Sequence, residues 1–247
     1  MKYLIFILAM VLSSSCGEGE GEGEDITDTI FSAQGVKCTD YVGTSTSSIK
    51  DSSNGQTLNG RVEITDNGDT CTFSSNSIPN HDVNDSGGFA TPVAEVEETF
   101  EIPVNPTAAS STTALTLRYD NAVFLNGVKL DLLPAACYGV GGGPLGEEKI
   151  GCFEDGQPWR YDPMFASNDF DTDSHNAHTQ PDGAYHYHGD PVAMYDTSGV
   201  TASGVIGFAA DGFPIFGPYI DDGGTIRKVE SGYALKSGAR TNQNGEA

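Results

Sequence analysis

The chain has five histidines, and four of them, His175, His178, His186 and His188, fall within fourteen residues. The stretch reads HNAHTQPDGAYHYHGDP over 175–191. Pro181-Asp182-Gly183 signals a turn, because proline presets one backbone angle and glycine supplies another that other residues avoid. The aromatic residues that follow favour a strand, which Gly189 and Pro191 end. Successive strand side chains point to opposite faces. His186 and His188 therefore project together, about 6.6–6.8 Å apart along the strand. Tyr185 and Tyr187 pack on the other face. Two imidazoles so placed can converge on one ion, at about 2.0–2.1 Å for zinc, and the geometry also suits copper. His178 lies across the turn from His186 and can fold back as a third ligand. His175 is a fourth candidate, three residues before His178 and able to share a face with it on one helical turn. Ligating histidines donate their other N–H to a carboxylate or carbonyl. Asp190 and Asp211 are candidates for that role, and Tyr219 for the rim of the site.

Two readings compete with a copper or zinc site. The histidines could line a wet face over a tyrosine core, or they could serve metal-free acid–base catalysis, since imidazole titrates near neutrality. His81 stands alone in a polar loop and reads as exposed. Asp169, Asp171 and Asp173 are spaced like the start of a calcium loop, but the glycine and distal glutamate of such a loop are absent. They read as a surface acidic loop. The glycines of YGVGGGPLG lack the ending and context of a phosphate loop. No Gly-x-Ser-x-Gly elbow for acyl transfer occurs, so no catalytic residue is assigned.

The N-terminus reads MKYLIFILAMVLSSSCGEGEGEGED. The apolar run Tyr3 to Leu12 is too short to span a bilayer and suits a secretory signal over residues 1–15. Apolar run, small serines and then Cys16 resemble a bacterial lipoprotein signal, with Cys16 lipidated and the chain anchored to the membrane at the cell surface. Ordinary cleavage near Ser15 would give a secreted protein instead. The Gly-Glu repeat has no apolar side chain and repels itself. Residues 16–25 therefore read as lipidated cysteine and flexible tether. With 12 basic against 35 acidic residues, the net charge is −23. This argues against nucleic acid as a partner. Cys38, Cys71, Cys137 and Cys152 remain, an even number in an exported chain, and suggest two disulfides. Three pairings are possible, and proximity favours Cys38–Cys71 with Cys137–Cys152.

No long amphipathic helix is visible, and many short apolar runs are separated by glycine, proline and asparagine. The fold class is mainly β: one antiparallel, sandwich-like or irregular domain with Gly/Pro-rich loops and little helix. Residues 39–60 read as loops or short edge strands. Asn67-Gly68 marks a hairpin turn that pairs Ile64 with Cys71 and Val62 with Phe73. Residues 96–104 form an edge strand with Phe100, Ile102 and Val104 on one face. Residues 113–119 form a strand with Leu115, Leu117 and Tyr119 on one face. Residues 121–133 form two short strands around Asn126-Gly127, and residues 204–220 form two strands split at Asp211-Gly212. One short helix near 159–168, or around His175 to His178, completes the expectation.

NAHTQPDGAYHYHGDP (176–191) and IGFAADGFPIFGPY (206–219), in this order, resemble the YHYH domain family. FLNGVKL (124–130) and PWRYDPM (158–164) resemble its upstream segments less specifically. The resemblance covers residues 90–235, after a polar hairpin-containing region over 26–89 and before a polar tail over 236–247. It implies an exported protein, often a lipoprotein or multidomain surface protein, and supports the relevance of His178, His186 and His188. It supplies no reaction. The family pattern commonly carries asparagine at the position of His175, which sets that histidine apart. The sequence is compatible with a copper- or zinc-binding cell-envelope lipoprotein, a metal-dependent extracellular hydrolase or oxidase, and a metal-free adhesion or scaffold module.

Overall fold

The computed structural model describes residues 23–157 and 159–232. The signal segment, Cys16 and the polar tail lie outside them. Thirteen strands build the described part of the chain. The first sheet contains β1 (Glu24–Asp25), β2 (Gly43–Lys50), β3 (Thr57–Asp66), β4 (Thr70–Ser75) and β5 (Glu98–Pro103), in that spatial order. β1 runs parallel to β2, and the other pairs are antiparallel. The second sheet contains β6 (Ala122–Phe124), β7 (Lys129–Leu130), β8 (Ala177–Thr179), β9 (Tyr185–Tyr187), β10 (Val205–Ala209) and β11 (Pro214–Phe216). Its spatial order is β11-β10-β6-β7-β9-β8, with β7 and β9 parallel. A ribbon of β12 (Tyr219–Asp221) and β13 (Ile226–Lys228) follows. Among the described residues, helix is confined to three short 3₁₀ turns, Cys38–Tyr41, Ala166–Asn168 and Val192–Met194. The fold is thus mainly β, with mixed sheets and no closed barrel among the described residues.

Local pattern explains most of these elements. The hairpin of β3 and β4 forms, but its register is Ile64 to Phe73 and Asp66 to Cys71. The loop closes at Asn67 N to Thr70 O, leaving Gly68 and Asp69 at its tip. Each strand residue thus faces a partner two positions from the expected one. A two-residue slip preserves the side-chain face, so Val62, Ile64, Cys71 and Phe73 are all buried. The Ser/Thr-rich stretch before it is an interior strand of eight residues rather than loops or a short edge. β2 lies between β1 and β3, with Ser47 and Ile49 turned inward. β1 takes Glu24 and Asp25 out of the expected tether by backbone pairing alone. Residues 113–119 form no strand. Leu115 and Tyr119 are exposed, and the backbone there is held from the side by Asp155, which accepts from Leu117 N and Thr116 Oγ1. No helix forms at His175–His178, where a turn leads into β8, and only Ala166–Asn168 is helical near 159–168. The disulfides pair Cys38 with Cys71 and Cys137 with Cys152.

The two sheets share one core. Phe73 of β4 meets Phe208 of β10 with ring centroids 6.3 Å apart, and Phe124 meets Tyr187 edge-on at 5.1 Å. Each such buried aromatic contributes about 1.5–3 kcal/mol. Lys129 Nζ of β7 crosses to Glu98 of β5 at 2.6 Å. Polar groups also line the seam. Asn126 Nδ2 donates to Asn80 Oδ1 and to the Tyr187 hydroxyl.

His81 lies in this seam, 3 % exposed. The polar residues around it, Ser77, Asn80 and Asn84, are buried with it because the strap from 76 to 84 crosses the edge of the core. His81 Nδ1 faces the carbonyl of Asp82, which can only accept, so that nitrogen carries the proton. Tyr187 Oη then donates to the bare Nε2 at 2.6 Å. Burial, reinforced by neighbouring His175, holds this imidazole down to about 3. The unfolded value is about 6.5. Unfolded His81 therefore takes up a proton that the folded chain refuses. Its contribution is complete above about pH 6.5 and is lost as pH falls from there toward about 3, by up to about 1.4 kcal/mol per pH unit. Urea unfolding with a chelator present, compared between wild type and His81→Gln from about pH 6 down to about pH 4.5, should give the variant a shallower slope by about one proton. Equal slopes would contradict the assignment.

Candidate metal centre

β8 and β9 form a hairpin whose ends are held by particular residues. At its entry the Asp173 carboxylate accepts from His175 N at 3.0 Å and Ala177 N at 3.3 Å, a side-chain-closed turn. Its other oxygen accepts from Tyr185 Oη at 2.9 Å and Asn84 N at 3.2 Å. Asp173 is therefore buried at a junction and not part of a surface acidic loop. Gly183 closes the far turn with φ of 94°, and a Cβ there would lie 2.7 Å from the Ala94 Cβ. The ladder sets His178 opposite His186 and Ala177 opposite Tyr187. His188 N extends the pairing by donating to Asn176 O at 2.8 Å.

This register places three imidazoles on one face. Nε2 of His188 lies 3.0 Å from Nε2 of His178 and 3.2 Å from Nε2 of His186. Among the described residues, this is the trio of His, Cys, Asp or Glu that could hold an ion. The opposite nitrogens fix the chemistry. His178 Nδ1 meets the carbonyl of Phe170 at 2.7 Å, His188 Nδ1 meets that of Asp131, and His186 Nδ1 lies 3.4 Å from that of Ala184. At the two short contacts the carbonyl can only accept, so Nδ1 of His178 and of His188 carries its proton and their Nε2 atoms present lone pairs. Burial depresses all three basicities. His188 is held down to about 4, with His178 adding to the effect of burial. His186 is pushed well below the usual value by burial and then by its two neighbours. His178 is lowered chiefly by burial, which the Phe170 carbonyl partly opposes. Near neutral pH the centre is three uncharged donors facing one another.

The remaining candidates sit elsewhere. His175 turns to the far side and stacks on His81, with centroids 3.9 Å apart, and its buried Nδ1 has no hydrogen-bond partner. Asp190 accepts from Tyr195 Oη at 2.6 Å. Asp211 is exposed, beyond β10 and beside the 109–121 loop. Tyr219 donates to Thr197 O. Asp190 and Asp211 do not support the trio, because backbone carbonyls face the Nδ1 nitrogens they were expected to bind, and Tyr219 does not line the cleft over it. Those carbonyls, and Asp173, are the supporting groups that residue types did not reveal. The one available signal was Asp173-Ser-His-Asn, a sequence that suits a carboxylate-closed turn. The tyrosines do fill the opposite face, yet each also bonds through its hydroxyl, Tyr185 to Asp173 and Tyr187 to His81.

A family model described as YHYH protein matches residues 99–246, more than half of the chain. The chain belongs to the YHYH family. No curated protein and no solved structure matches it. The YHYH match begins in β5 and takes in the whole second sheet with the three histidines.

Asp173→Ala removes the acceptor for four donors at the base of the hairpin. Each buried donor left unpaired costs about 1–3 kcal/mol, so the loss should be at least about 3 kcal/mol by urea unfolding. Tyr185→Phe, which removes a single one of these bonds, should cost less. A near-neutral Asp173→Ala would show that the turn does not depend on this carboxylate.

Proposed function

We propose that this chain is a cell-envelope lipoprotein whose YHYH domain binds a transition metal, copper or zinc, through His178, His186 and His188. The observation that carries the reading is the convergence of three imidazole nitrogens. His178 and His188 hold bare nitrogens 3.0 Å apart with no proton between them. Such an arrangement is repulsive without a cation, and burial keeps protons from relieving it. An ion about 2.0–2.1 Å from each nitrogen, in tetrahedral geometry, needs nitrogens roughly 3.3–3.4 Å apart. His188 stands 3.0 and 3.2 Å from its two neighbours, a small expansion away from that spacing, and all three nitrogens lie within 4.8 Å of one another. Imidazole suits both zinc and copper, and the protonated Nδ1 groups hold the tautomer that ligation needs.

A second reading, a metal-dependent extracellular hydrolase or oxidase, is favoured by one further feature. All three imidazoles line a cleft. Three protein ligands with an open fourth position are the arrangement of catalytic zinc. The two disulfides agree with export. The apolar run, serines and Cys16 support the lipid anchor.

Protein purified without a histidine tag and dialysed against Zn²⁺ or Cu²⁺ should hold about one ion per chain and gain thermal stability on loading. His186→Ala and His188→Ala should each bring the content below about 0.2 ions, and His175→Ala should leave it near one. No uptake and no thermal shift would favour the metal-free scaffold module. The anchor has its own test. Cys16→Ser should move the protein from the detergent phase to the aqueous phase in a detergent-partition assay, and an unchanged partition would exclude lipidation at Cys16.

A further inference from the structure

The cleft over the histidine trio has a volume of 520 Å³. That lies within the roughly 300–1,000 Å³ of small-molecule sites. Its floor is the three imidazoles, and its walls are largely apolar, with Leu133, Phe170, Ile150 and Phe153 prominent. Ile150 and Phe153 are 53 % and 67 % exposed, two large apolar side chains offered to solvent beside the centre. They flank Cys152, whose disulfide to Cys137 closes their loop. The Arg160 guanidinium fastens the same wall by donating to the carbonyls of Pro134, Cys152 and Glu154. The wall is thus prebuilt, which lowers the ordering cost of binding. Apolar surface held in this way gains free energy when covered.

Charge narrows the ligand further. A divalent ion on three neutral imidazoles keeps its full charge, so an anionic donor is favoured at the remaining position. Among the described lining residues, Lys149 is the one permanent cation and Asp171 the one carboxylate. Lys149 Nζ lies 4.7 Å from the centre of the Phe170 ring, on the cleft wall, and Asp171 is exposed at the rim. A second negative end on the ligand would meet Asp171. We propose that this cleft binds small monocarboxylates with an aromatic or apolar body, the carboxylate completing the coordination of the ion and the body covering Ile150 and Phe153. The proposal rests on the metal reading above.

Isothermal calorimetry on the metal-loaded full chain, with benzoate as the probe, tests it. Loading with Zn²⁺, Cu²⁺ or Co²⁺ is measured first. Benzoate should bind saturably to the loaded chain and not to the metal-stripped chain. Acetate should bind about tenfold more weakly, for want of the ring. Terephthalate, with its second carboxylate, should also bind more weakly than benzoate. Phe153→Ser changes a surface residue and should weaken benzoate about five- to tenfold with metal affinity unchanged. Loaded protein that takes up no benzoate, or that binds benzoate and acetate alike, overturns the proposal and leaves the metal site standing. Benzoate binding of equal strength with and without the ion overturns it as well. A chain that takes up none of the three ions loses both readings.

Discussion

Uncharged imidazoles with bare nitrogens aimed at one another, as in His178 and His188, repel, and something must hold them there. In this protein the holding is done by backbone. The carbonyls of Phe170 and Asp131 each fix one Nδ1–H, and the hairpin register sets His178 against His186. Repulsion between bare nitrogens in a low-dielectric site is stronger than in water. The centre is thus a local conflict that the surrounding fold sustains. Such conflicts recur where a ligand is meant to resolve them.

The support comes through the pleat of β9. His186 of β9 and His188 just beyond its end face the cleft, and the tyrosines of β9 face the seam between the sheets. Both tyrosine hydroxyls end in polar groups contributed by, or joined to, the strap that leaves the first sheet. Tyr187 reaches His81 on that strap, and Tyr185 reaches Asp173, which also accepts from Asn84 N. The strand is thereby anchored on one face by the N-terminal part of the chain and left free on the other to present donors. Buried polar networks specify one arrangement when every member is satisfied. Here the network sets the depth and rotation of the strand that carries His186 and His188. The region that precedes the YHYH match is for this reason part of the site's scaffold, although it contributes no imidazole.

Much of this could be read from residue types, and the misses have physical causes. Alternation over 185–188 placed both histidines on one face because a strand has period two, whatever surrounds it. The turn at Pro181-Asp182-Gly183 brought His178 across for the same local reason. Cysteine pairing followed proximity. The hairpin register slipped because Asn67-Gly68 and Gly68-Asp69 are both competent tips, and a slip of two residues leaves the buried face unchanged. The tertiary contacts were not legible. A backbone carbonyl has no letter, so the partners of His178 and His188 could not be named. His81 and Asp173 looked like exposed polar residues, since nothing in their own neighbourhoods shows that Tyr187 and Tyr185 reach them. Leu115, Leu117 and Tyr119 alternate like a strand, but the Asp155 carboxylate holds that backbone instead of a neighbouring strand.

The charge of the chain bears on the order in which such a centre would fill. A net charge of −23 attracts cations and repels anions at a distance. Salt limits that field to about 8–10 Å under physiological conditions. A metal ion approaching the cleft would be favoured first by the field and then by the three imidazoles. An anion approaching the empty centre meets the opposite field and uncharged imidazoles, with Lys149 as the nearby cation and its Nζ already bonded to the Asp169 carbonyl. Once the ion is in place, the local charge within a few ångströms of the floor reverses sign while the distant field stays negative. An anion would then be held at short range and only there. With metal and carboxylate both bound as proposed, electrostatics that the rest of the surface imposes would order the filling of the centre and its cleft, the cation before the carboxylate.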